Sequence, residues 1–105
     1  MRITIYAVGR MRRGPEQDLI DHYTKLLRGS GAQAGITDFS IQEVDDRKGP
    51  QGAAGKNWQA DQLLQKIPQD AFLIALDENG HSLSSTAFAQ KFRDWQTDHR
   101  DIVFI

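Results

Sequence analysis

The sequence predicts an α/β fold, a mainly parallel sheet flanked by helices in the order β-α-β-α-β-α-β. Residues 3–8, 36–44, 71–76 and 102–105 are strand-length runs rich in β-formers, separated by segments with helical apolar spacing. Strands that alternate with amphipathic helices imply crossover units, and crossovers join parallel strands. AFLIAL and IVFI are also apolar without a break, as strands buried on both faces of a parallel sheet are.

The first run, ITIYAV, ends at Gly9. Gly14-Pro15 opens the first helix, where proline's missing N–H is harmless. Glu16 and Asp18 lie at the favourable end of the helix dipole. Leu19, Ile20, Tyr23, Leu26 and Leu27 recur at helical spacing as one apolar face, until Gly29, Gly31 and Gly35 break the pattern. In residues 36–44, Phe39 and Ile41 alternate with Ser40 and Gln42, the signature of a half-exposed strand near a sheet edge. Residues 45–55, with three glycines and a proline, read as a loop. The second helix carries Ala60, Leu63, Leu64 and Ile67 and stops at Pro68. After AFLIAL, Asp77 to His81 form a turn, and Ser84 or Ser85 caps the third helix. Phe88, Phe92 and Trp95 make its heavy core face, and Asp101 leads into IVFI.

Composition narrows the class. A chain of 105 residues suits one domain, 1–105, and its 39% apolar and 26% charged content is ordinary for a globular protein. Cysteine is absent, so neither disulfides nor a thiolate metal site is possible. No signal-peptide pattern and no membrane-spanning run is present, and the reading is a cytoplasmic protein. The net charge of −1 does not favour nucleic acid in bulk. Its distribution is more informative. Arg10, Arg12 and Arg13 follow the first strand, and Arg47 and Lys48 follow the second. In a parallel sheet both loops leave at one edge, so the five cations can share a rim suited to a phosphate-rich partner. On spacing alone, a solvated loop accounts for them slightly better.

The last run raises its own question. A strand apolar on both faces needs cover on both, and ligand loops of open α/β sheets begin at strand carboxyl ends. Nothing follows Ile105 to supply either, so the expectation is that a C-terminal part of the domain lies beyond these residues.

Several segments, ITIYAVGRMR, DHYTKLLR, DAFLIALDENGHSLSSTAFAQKF and DIVFI, follow one another as in the RlmH (YbeA) family of SPOUT-class methyltransferases, which this chain resembles along its length. Its most specific part is the unit from Leu76-Asp77 through Gly80 to Ser84-Ser85, whereas the loop at 45–55 matches loosely. The resemblance implies a SPOUT domain whose knot lies beyond Ile105. It implies methyl transfer from S-adenosylmethionine, without a metal, to N3 of a pseudouridine in 23S rRNA. It also implies a homodimer of the complete protein. Of the family's cofactor positions only Leu76 carries over, and no residue here inherits a catalytic role. Without the resemblance, Leu76 reads as the last core residue of its strand. The rival reading is a non-catalytic ribosome-associated or nucleotide-binding module.

Other candidates are weaker. His22, His81 and His99 lack metal-ligand spacing, and for His81, nearest the presumed ligand edge, a turn residue is a stronger reading than a general base. The adjacent carboxylates Asp77 and Glu78 do not converge as an acid–base pair must. Gly9-Arg10 lacks a dinucleotide fingerprint, and Gly49-Pro50-Gln51-Gly52 lacks the ending of a phosphate loop. Trp58 and Trp95, at helical positions, read as core rather than base-stacking platforms. The expression product of the gene is expected to exceed the 11.9 kDa of these residues in an intact-mass measurement. A mass at that value would count against the expected C-terminal part.

Overall fold

The computed structural model describes residues 1–45, 49–99 and 101–105. Its elements are β1 (Arg2–Val8), α1 (Pro15–Ser30), β2 (Asp38–Val44), α2 (Gly52–Lys66), β3 (Phe72–Ile74), α3 (Ser85–Asp98) and β4 (Asp101–Phe104). The strands form one sheet in the order β2-β1-β4-β3, with every neighbouring pair parallel. This is the predicted α/β architecture. No helix among the described residues is long and apolar enough to cross a membrane.

The core lies on the face that α1 and α3 share. Ile3, Phe39, Ile102 and Phe104 form its buried centre, with Leu27 of α1 and Phe92 and Trp95 of α3 packed against them. Right-handed crossovers then place α2 on the opposite face. There the Tyr6 hydroxyl donates to the Lys66 carbonyl at 3.3 Å. Phe88, Trp95 and Phe104 meet at ring distances of 6.0–6.4 Å, within the range of favourable aromatic pairs.

β4 is the best-buried element, with Ile102 0% exposed and Val103 and Phe104 also buried. Ile105, just past its end, is half-buried. The register of β4 against β1 is marked by a fork of two hydrogen bonds. Arg2 Nε and Nη2 donate to the Asp101 carboxylate at 2.9 and 2.8 Å. The hydrogen bond to Asp101, then its charge, holds the Arg2 guanidinium above its usual pKa. Because Arg2 is solvent-exposed, the pair marks register more than it adds stability.

Two expectations need correction. Residues 71–76 are not a strand buried on both faces. β3 spans only Phe72–Ile74, lies at the sheet edge and leaves Leu73 38% exposed. A strand's length is set by its partners, and β3 pairs only with Ile102 to Phe104 of β4. The loop read at 45–55 is also too long, because α2 starts at Gly52. Ala53 and Ala54 favour helix. Gly55 is tolerated there because its bare Cα lies against the Pro50 carbonyl, where a Cβ would collide. Ser84 does cap α3, its Oγ accepting from the Ala87 N–H at 3.1 Å.

Ile102→Ala is expected to lower stability by about 2–5 kcal/mol in denaturant titration, since it opens a cavity at the centre of the core. Leu73→Ala, at the half-open edge, is expected to cost about 1 kcal/mol or less.

Candidate functional site

All four strands run one way, so their carboxyl ends share one edge of the sheet. The order of strands divides that edge. β1 and β2 lie side by side at one end, β4 and β3 at the other.

On the β1/β2 side, Gly9 ends β1 with φ 91°, a conformation that suits glycine, and its N–H donates to the Val44 carbonyl at 2.7 Å. The chain then turns through Arg10, Arg12 and Arg13, all exposed, before Pro15 starts α1. The structure thus brings the arginine turn beside the carboxyl end of β2. Arg47 and Lys48, expected on the same rim, lie outside the described residues.

On the β3/β4 side, Leu76 lies two residues past β3. Its N–H donates to the Ile105 carbonyl at 2.8 Å, and the Ile105 N–H donates to the Ile74 carbonyl at 2.9 Å. The ladder therefore carries Leu76 to the carboxyl edge. Leu76 is 66% exposed among the described residues. It borders a hollow of about 590 Å³ lined also by Ile74, His81, Leu83, Ser84 and Phe88. On its other side it meets an apolar groove of about 810 Å³ floored by Ile3, Ile5, Phe39 and Phe104. Hollows of this size are in the range of small-molecule sites.

The remaining candidates have structural roles. Asp77 Oδ1 accepts the Asn79 N–H at 2.9 Å, and the Gly80 N–H donates to the Asp77 carbonyl at 3.0 Å, closing the turn. His99 stacks on Phe72 at 4.1 Å with an 8° interplanar angle, and His22 meets Tyr23 edge-on at 5.5 Å. Trp95 belongs to the aromatic core, and half-buried Trp58 packs on Gly49, where a Cβ would strike its ring.

One feature was not expected. A cleft of about 560 Å³ opens between the first half of α1 and the ends of β1 and β2. Gln17, Asp21, Thr24 and Arg28 line it from the helix, while Leu19, Tyr23 and Leu26 are exposed. The predicted single apolar face of α1 is thus only partly turned inward. The missed signal is the polar series at 17, 21, 24 and 28, which has the same helical spacing as the apolar one.

A parallel α/β sheet with a cation-bearing turn and a hollow beside Leu76 at its carboxyl edge is the architecture in which α/β domains commonly hold ligands. The family described as "Predicted SPOUT methyltransferase" matches residues 1–105. The chain belongs to the SPOUT methyltransferase family. It is 40% identical over its whole length to the ribosomal RNA large subunit methyltransferase H of Dinoroseobacter shibae, covering 65% of that protein. It is 39% identical to the same-named protein of Paracoccus denitrificans, again covering all of this chain and 65% of the relative. For the Cereibacter sphaeroides protein of that name the identity is 35%, over 97% of this chain and 63% of the relative. The chain therefore spans just under two thirds of the length of these relatives.

Proposed function

We propose that the protein is an S-adenosylmethionine-dependent methyltransferase that modifies N3 of a pseudouridine in 23S rRNA of the large ribosomal subunit. The observation that carries this reading is the similarity of the whole chain to proteins named ribosomal RNA large subunit methyltransferase H. The choice of pseudouridine N3 rests on the resemblance to the RlmH family. The 105 residues form one SPOUT domain, incomplete within them.

The carboxyl edge suits these ligands in two ways. Beside β3, Leu76 offers an exposed apolar wall next to a hollow of about 590 Å³, an environment that accepts the flat face of an adenine. When bound, S-adenosylmethionine supplies an electrophilic methyl group on its sulfonium. The donor is thereby already activated, and the proposal includes no metal. Beside β1, Arg10, Arg12 and Arg13 are placed to hold RNA phosphates, which orients a polymer without reading its sequence. Arg47 and Lys48 are proposed for the same role from the sequence alone. No residue of this chain is assigned the proton of N3. The exposed series Leu19, Tyr23 and Leu26 on α1 supports a homodimer, because a second copy would cover it. The location proposed is the cytoplasm, where ribosomes are assembled.

Methyl transfer to 23S rRNA by the full-length gene product, lost when S-adenosylmethionine is omitted, tests the activity. An Arg10/Arg12/Arg13 triple alanine variant is expected to bind rRNA more weakly. The slope of log affinity against log salt should fall by about 2–3, since each lost phosphate contact removes about 0.7–0.9. An unchanged slope would return these arginines to a solvated loop. Leu76→Asp, with the fold verified by circular dichroism, is expected to weaken S-adenosylmethionine binding by one to two orders of magnitude, about 1.4–2.8 kcal/mol, in calorimetric titration. Leu76→Val should change it little. Wild-type affinity in the folded Asp variant would remove Leu76 from the cofactor site.

A further inference from the structure

We infer that the cleft between α1 and the ends of β1 and β2 receives an unstacked guanine base of the RNA, a neighbour of the methylated nucleotide rather than that nucleotide itself. This deepens the rRNA-methyltransferase reading and rests on it for the identity of the polymer.

The inference starts from an inversion in α1. A helix that only covers a sheet turns its apolar stripe inward. α1 keeps Ile20 and Leu27 half-buried, but lines the cleft with Gln17, Asp21, Thr24 and Arg28. Below them, Ile41 and Glu43 of β2 also line the cleft, and both are exposed. The reason lies in how α1 sits. Its second half reaches the sheet, where Leu27 packs on the core and an Arg28 Nη donates to the Phe39 carbonyl at 3.4 Å. The cleft of about 560 Å³ lies along the same helix, from Gln17 to Arg28.

The chemistry of the lining selects the ligand. Ala7, Met11, Ile20 and Ile41 give apolar surface for a flat ring. Asp21 and Glu43 are acceptors, which suit the N–H groups of a base, while Arg10 and Arg28 balance their charge in the same lining. Asp21 is partly engaged, since Gln17 Nε2 donates to its Oδ1 at 2.9 Å. Glu43 is therefore assigned the reading role. Guanine is the base that presents two adjacent donor groups, N1–H and N2–H₂, to the two oxygens of one carboxylate. Arg10 lies in the lining at the turn, with Arg12 and Arg13 beyond it, where the phosphate of such a nucleotide would lie. RNA sequence is commonly read in this way, from splayed bases hydrogen-bonded on their Watson–Crick edges.

Base identity separates this site from the target. The proposed target is a pseudouridine, whereas the cleft's carboxylate suits guanine, and the cleft lies over β1 and β2, away from Leu76 after β3.

The test is calorimetric titration of the full-length protein with guanosine, inosine and uridine 5′-monophosphates. Inosine keeps the phosphate, sugar and ring but lacks the 2-amino group. Guanosine monophosphate is expected to bind about tenfold tighter than inosine monophosphate, with uridine monophosphate weakest. Glu43→Gln should erase the guanosine–inosine difference. Thr24→Trp, which fills the cleft, should weaken guanosine monophosphate at least tenfold with the circular dichroism spectrum retained. Equal affinity for the three nucleotides, absence of binding, or a preference that survives both variants would overturn the inference. Methyl transfer to 23S rRNA, measured alongside, separates the two failures. Transfer without guanine preference removes the cleft's role alone, and guanine preference without transfer removes the methyltransferase reading alone.

Discussion

The pairing of β1 with β4 is the constraint on which the rest of the sheet depends. The last strand in the sequence enters the middle of the sheet, between β1 and β3. Among the described residues β3 pairs with β4 alone, so without β4 it has no sheet to join there. The registers Ile3↔Ile102 and Ile5↔Phe104 put the largest apolar side chains of both strands on the face shared with α1 and α3. A slip of one residue would turn them to the α2 face and part Arg2 from Asp101. Contacts that join the first and last ten residues are costly in loop entropy, so sheet closure is expected late in folding.

The same insertion explains the division of the carboxyl edge. β4 separates the end of β1 from the end of β3, and with it the arginine turn from Leu76. Had β3 paired directly with β1, cations and apolar hollow would crowd one spot. Instead one end of the edge carries the arginine turn, and the other carries Leu76 beside the acidic turn of Asp77 and Glu78. A partner that is itself part phosphate and part ring can engage both without placing an unpaired charge on an apolar wall.

Much of this was legible in the sequence because it depends on local chemistry. The Gly14-Pro15 opening of α1, the Ser84 cap and the alternation that marks β2 as an edge strand are local signals, and each has its place in the fold. The short, exposed β3 was not legible. Ala71 to Leu76 are apolar for different reasons: Phe72 and Ile74 pack on the core, while Leu76 projects into solvent beside a hollow. An apolar run cannot separate these, because burial is decided by the partner strand and not by the run. The same holds for Leu76 as a candidate. Its residue type fits a core position as well as a cofactor wall, and the apolar run alone does not choose between them. The adjacency of the turns after β1 and β2 depends on strand order, which element order alone leaves open.

α1 shows how a periodic pattern can mislead when it is read for one face only. Leu19, Tyr23 and Leu26 follow one helical series and Gln17, Asp21, Thr24 and Arg28 another. Apolar periodicity identifies the helix but does not say which series meets the sheet. Here geometry decides. α1 is held at its carboxyl end by Leu27 and Arg28, and its amino end must clear the arginine turn that precedes Pro15. Between the helix and the ends of β1 and β2 lies the polar-lined cleft. Residues that line it cannot form a dry core, because water reaches them, and polar side chains are the stable occupants of such a gap. The outward apolar series then needs cover from another surface. One helix thus presents a polar series to the cleft and an apolar series to solvent, and the apolar period alone does not say which faces inward.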